Sequence, residues 1–306
     1  MPGFPPPPEA ERAGAHAPAR RAVLGGLLAM PFVLRAPGAR AAKRRIASLD
    51  YALAQHMIVL GEPPFALADA HEWNTWVADP PLPPDTIDFG TSLVPNLELL
   101  AALKPDLVLT TDFVAMTESQ IARIAPIERI SIYGPGGTPL PKAYEAMRRI
   151  GAILGREQEA EAYLADTDRF FAQAAERARR FRDKPILLLS FVDPRHVRVY
   201  SRPGMQQDVF ERLGLTNAWT EEGLFWGFAT VGVERLAEAG DAYAVADYMP
   251  PDVEAVLERS PLWRALPIRA DRGPIPVTPV VAAFGGVPAA RRLATLLLDA
   301  LESRPS

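Results

Sequence analysis

The chain has 306 residues, 48% hydrophobic and 23% charged, with a formal net charge of −4. That length suffices for one large or two medium domains, and the composition is that of an ordinary globular protein. The acidic balance gives no basic surface for nucleic acid, and the absence of Cys excludes disulfides and thiolate metal sites.

The opening "PGFPPPPEA" is too rich in Pro for helix or sheet and reads as disordered. Arg20-Arg21 then precede an apolar run, Ala22–Leu34, and the small-residue pattern Ala39-Arg40-Ala41. A charged lead, a short apolar stretch and a cleavage pattern make an export signal over residues 1–41, and the Arg pair resembles a twin-arginine signal. The apolar run falls short of the ~20 residues a membrane span needs. Its removal takes five of 33 basic and two of 37 acidic residues, leaving 28 against 35 and a net charge of −7. A periplasmic protein without a lipid anchor is expected.

"RRIAS" reads as a strand, Tyr51–Leu60 as a helix ending at Gly61, and "EPPFALADA" as a second strand. "HEWNTWVADPPLPPDTIDFG" is broken by Pro and reads as loop. "PNLELLAALKPDLVLT" (Pro95–Thr110) then gives a Glu, a short amphipathic helix, an acid and an apolar strand. "TESQIARIAPIERISIYG" repeats helix, Pro and strand. This alternation predicts parallel β/α units. "LPKAYEAMRRIGAILG", closed by Gly155, and the charged stretch after it are helical and interrupt the alternation.

The alternation then resumes. "KPILLLSFVD" and "VRVYS" read as paired strands, and "GMQQDVFERLGL" as a helix capped by Gly214. "VGVERLAEAGDAYAVA" (Val231–Ala246) restates the earlier Glu–helix–acid–strand unit. Helical segments, a strand near "GPIPVTP" and the helix "VPAARRLATLLLDALE" follow. The predicted fold class is α/β: two lobes with mostly parallel sheets, residues 42–139 and 156–306, joined by an interdomain helix over 140–155. A ligand cleft is expected between them.

Three His remain after cleavage, His56, His71 and His196, and none has metal-ligand spacing. "GPGGTP" lacks the Lys-Ser/Thr of a phosphate loop, and no nucleophile motif appears. No catalytic residue and no protein-bound metal are expected. Aromatic residues are the informative class, Trp226 in "FWGFAT" foremost, because they offer a large rigid face with a polar handle.

"WVADPPLP", "PNLELLAALKP", "IARIAP", "DPRHVRVY", "GLTNAW", "FWGFATVGVERL" and "PLWRALP" run in order over residues 45–290. In that order they resemble the periplasmic ferric-hydroxamate siderophore-binding proteins (FhuD-like), within the helical-backbone class of metal-chelate and vitamin B12 binding proteins. The resemblance implies a monomeric substrate-binding subunit of an ABC importer whose lobes move little. It implies no covalent cofactor, with iron present only in the ferric chelate. It places Tyr51, Ser92, Val114, Trp226, Phe228 and Phe284 at or beside pocket positions, with Trp76 near the site and Phe113 beside Val114. Glu98 and Glu234, one per repeated unit, match residues that pair with arginines of the inner-membrane permease. Ser92 stands where the family commonly has an Arg that contacts the chelate oxygens, Val114 lies near a replaced Tyr, and Ala282 replaces a Trp. Arg195 or Arg202 could supply a cation instead. Another ferric chelate, haem or a corrinoid remains an alternative ligand, and an exported hydrolase an alternative function.

Overall fold

The computed structural model describes residues 44–135, 138–269, 274–277 and 283–303. The expected export signal, residues 1–41, and Ala282 lie outside the described residues.

The first half holds β1 (Ile46–Ser48), α1 (Tyr51–Val59), β2 (Ala66–Leu67), α2 (Trp73–Trp76), β3 (Ile87–Asp88), α3 (Leu97–Leu103), β4 (Leu107–Thr110), α4 (Glu118–Ile121) and β5 (Ile127–Arg129). Its sheet has the order β3-β2-β1-β4-β5, and every pairing is parallel. Two helices follow, α5 (Pro139–Leu154) and α6 (Glu157–Ala178). The second half holds β6 (Ile186–Phe191), β7 (His196–Tyr200), α7 (Met205–Leu213), β8 (Phe228–Gly232), β9 (Tyr243–Tyr248), α8 (Pro251–Leu257), α9 (Pro261–Ala265), β10 (Ile275–Pro276) and α10 (Val287–Glu302). Its sheet has the order β10-β9-β6-β7-β8, parallel from β10 to β6 and antiparallel across β7 and β8. The fold is the expected α/β architecture with two mostly parallel sheets.

The repeated unit occupies equivalent places in the two sheets. Its strand is β4 in one and β9 in the other, and each lies parallel beside the first strand of its sheet, β1 or β6. The acid that opens each strand ties it to that neighbour. Asp106 accepts the Arg45 backbone N–H at 2.7 Å, and Asp241 pairs with Lys184 at 2.5 Å. The helices differ: α3 is α-helical, with Asn96 accepting from the Leu99 N–H at 2.9 Å, whereas Val233–Ala239 is a 3₁₀ helix.

Two expectations are corrected. The stretch read as loop after Ala70 contains α2 and the edge strand β3. The aromatic stretch around Trp226 leads straight into β8, which was not expected.

One apolar core lies between the sheets. It takes Ile46 and Leu109 from the first sheet, Leu188 and Val245 from the second, and Leu53, Ile150, Phe171, Phe210 and Leu297 from α1, α5, α6, α7 and α10. Burying each such side chain contributes roughly 1.5–3 kcal/mol. Parting the sheets would expose many of them together, so the core opposes hinge opening. Helix α5 packs against α1, α6, α7 and α10, and α10 returns from the chain end to touch α1.

His56 and Gln55 complete that junction. The His56 Nε2 accepts the Val287 N–H at 2.9 Å and the Gln55 Oε1 accepts the Gly286 N–H at 2.9 Å. Side chains of α1 thus satisfy amides at the start of α10, which the helix itself leaves without partners. His56 is a cap, and burial depresses its pKa to about 3.

Candidate functional site

Segment 283–286 is held from both halves of the chain. Besides the α1 contacts, the Tyr133 hydroxyl donates to the Gly285 carbonyl at 2.7 Å and the Gln206 amide to the Ala283 carbonyl at 3.2 Å. These bonds fix Phe284, whose ring meets Tyr133 at 5.5 Å, Trp226 at 5.6 Å and Phe228 at 6.1 Å. Aromatic surface from both sheets therefore converges on one residue.

Two loops complete the wall. In the first half, Asp69 is left-handed (φ 55°). Its carbonyl accepts the Tyr51 hydroxyl at 2.6 Å, and its carboxylate accepts the Ser92 backbone N–H at 2.8 Å. In the second half, Gly227 has φ +79°, and a Cβ there would lie 2.2 Å from the Gly204 Cα. Only glycine fits this approach, and the turn it makes presents Trp226. The Trp226 ring meets Phe113 of the opposite half edge-on at 5.4 Å.

These residues enclose a cavity of about 350 Å³ lined by Tyr51, Ser92, Phe113, Tyr133, Trp226, Phe228 and Phe284, with Asp50 and Asp69 as its charged groups. That volume is in the range of small-molecule sites. Asp50 caps α1 through the Leu53 N–H, and burial pushes its carboxyl up to about 6. No cation lines this cavity among the described residues.

A second compartment of about 430 Å³ shares Tyr51 and Phe284 with the first and adds Trp76, Ser190, Arg198, Tyr200, Asp247 and Tyr248. Trp76 and Tyr248 meet across it with ring centroids 6.3 Å apart.

The structure brings Tyr51, Ser92, Phe113, Trp226, Phe228 and Phe284 together in one cavity and puts Trp76 in the adjoining one. Val114 is a correction: it is 1% exposed and packs in the core of the first sheet, because the chain turns into a 3₁₀ helix after Thr111 and points Phe113 outward instead. Arg195 and Arg202 line neither compartment; Arg202 pairs with Glu211. The cation that does is Arg198, on the open face of β7, with its guanidinium 5.1 Å from the Phe228 ring centre. The alternation of "HVRVY" carries that information, since Val197 and Val199 are buried and Arg198 is exposed. Asp247, the one charged residue within the apolar strand "YAVADY", was also missed.

Glu98 and Glu234 are exposed and stand in the first turns of their helices, downstream of the loops that carry Ser92 and Trp226.

Comparison with known proteins gives concordant results. A family model described as periplasmic binding protein matches residues 46–268. The iron(3+)-hydroxamate-binding protein FhuD of Escherichia coli (strain K12) is 31% identical over 263 residues, covering 83% of this chain and 87% of that protein. The crystal structure of FhuD from Vibrio cholerae bound to Fe3+-Desferal superposes with a TM-score of 0.81 at 25% identity, covering 87% of this chain and 100% of that one. The triscatecholate siderophore-binding protein FeuA of Bacillus subtilis gives 0.68 at 15% identity, covering 85% and 93%, a likeness of fold alone. With its two-sheet fold, its cleft and these matches over most of its length, this chain belongs to the periplasmic binding protein family.

Proposed function

We propose that this protein binds a ferric siderophore of the hydroxamate type in the aromatic cleft and delivers it, as a monomer, to the inner-membrane permease of an ABC importer. The observation that carries the ligand class is the charge of the main cavity: aromatic walls, two carboxylates and, among the described residues, no cation. A tris-hydroxamate chelate of Fe3+ is neutral and presents an apolar skeleton. A tris-catecholate chelate carries three negative charges, and each like-charge pair at about 4 Å would cost on the order of 4 kcal/mol near a protein surface. The named activity of the E. coli and V. cholerae relatives supports the same class.

Export through a twin-arginine signal over residues 1–41 and release into the periplasm belong to the same reading. Glu98 and Glu234 are its docking contacts, because charge-assisted Arg–carboxylate pairs orient as well as attract. The test is quenching of Trp fluorescence by ferric chelates. A neutral ferric tris-hydroxamate should quench with sub-micromolar affinity. No response to hydroxamate, catecholate or citrate chelates would refute siderophore binding.

A further inference from the structure

The second compartment of the cleft is built around Asp247. This residue is 6% exposed, yet its Oδ1 makes no hydrogen bond. The strand pairing explains how it comes to lie there. Leu189 pairs with Ala246 and the next residue, Ser190, pairs with Tyr248, so Asp247 is the extra residue of a β-bulge. A bulge breaks the alternation of a strand and re-aims one side chain. Here it takes Asp247 out of the apolar sequence of β9 and sets it in the compartment wall with Ser190 and Tyr200.

The Tyr200 and Ser190 hydroxyls donate to the Asp247 carboxylate. Burial raises its pKa to about 6, with these bonds and the field of Arg198 acting against that rise, so the group is mostly ionised at neutral pH. Arg198 makes no ion pair with it among the described residues; its guanidinium is exposed and lies over Phe228. Asp247 thus lines, with one carboxylate oxygen buried and unpartnered, a compartment that also holds the rings of Trp76 and Tyr248. The faces of such rings attract a cation as the carboxylate does.

We propose that this compartment is a subsite for a protonated amine on the periphery of the chelate, bound by Asp247 beside the rings of Trp76 and Tyr248. The inference rests on the reading that the main cavity holds a tris-hydroxamate chelate. The two compartments share Tyr51 and Phe284, so the amine subsite would lie beside the chelate. The subsite would favour hydroxamate siderophores with a free amine over those without.

Ferrioxamine B, a linear trihydroxamate with a terminal ammonium, and its N-acetylated derivative separate the two readings. Both are titrated against the wild-type protein and against Asp247→Asn, with Trp fluorescence as readout. The wild type should bind the ammonium chelate at least tenfold more tightly than the acetylated one. Asp247→Asn should bind both with the affinity the wild type shows for the acetylated chelate, which also reports that the variant is folded. Equal wild-type affinities for the two chelates overturn the subsite and leave hydroxamate binding standing. An ammonium preference that survives in Asp247→Asn overturns the role of Asp247. Binding of neither chelate overturns hydroxamate binding and the subsite together.

Discussion

Trp226 and His56 are both buried or half-buried aromatic residues, and their surroundings give them opposite uses. Trp226 touches Phe113, Phe225 and Phe284 and lines the main cavity, so its ring is available to a ligand. Truncation to Ala should weaken chelate binding by about 2 kcal/mol, roughly thirtyfold, with little change in the denaturation midpoint; a titration alongside a urea melt checks both. His56 instead serves the fold. Its folded pKa of about 3 lies below the ordinary 6.5, so between those values the unfolded chain binds the extra proton. Stability from this group is complete above pH 6.5 and falls as pH drops, by about 1.4 kcal/mol per pH unit. Asp50, Asp247 and Asp208 of α7, which accepts the Leu140 N–H at the start of α5, act the other way: burial lifts each to about 6, and each adds stability as pH falls from about 6 towards 3.8. His56→Gln keeps an acceptor for the Val287 N–H and removes only the His contribution. Its stability relative to wild type should rise steadily from pH 6.5 to 4 in urea melts; parallel pH profiles would contradict the assignment.

The elements that position the cleft were legible where local chemistry decides them. Gly155 and Gly214, at φ +66° and +67°, end α5 and α7 where the sequence predicts. The repeated unit marks β4 and β9, and tertiary pairing of Asp106 and Asp241 explains why an acid recurs there. β3 and α2 were hidden because they are two and four residues long between prolines. β8 was hidden because Gly227 and its aromatic neighbours read as a turn with nothing after it. Gly227 does make that turn, and its contact with Gly204 depends on distant pairing that no local pattern encodes. Gly227→Ala should cost at least about 3 kcal/mol in urea denaturation, through the clash of its Cβ with the Gly204 backbone added to strain at a positive φ, and should lower chelate affinity by displacing Trp226. The bulge that turns Asp247 into the cleft is equally a product of sheet register, so a buried acid in an apolar strand was the only trace of it.

The two sheets share one core, closed by α5, α6, α7 and α10, and no helix among the described residues is long and apolar enough to cross a membrane. On the proposed reading, the permease recognises a face with Glu98 and Glu234 exposed on its two halves. Reversing both charges, Glu98→Lys with Glu234→Lys, should reduce chelate uptake by cells at least tenfold while leaving chelate affinity of the purified protein unchanged. Loss of affinity in that variant would show the glutamates to serve the cleft instead. The central claim is that a neutral ferric hydroxamate fills the Tyr51–Trp226–Phe284 cavity, and titration calorimetry with chelates of different charge tests it most directly. The account predicts sub-micromolar binding of a neutral ferric tris-hydroxamate and binding at least a hundredfold weaker for a trianionic ferric tris-catecholate. Equal or tighter binding of the catecholate would contradict it.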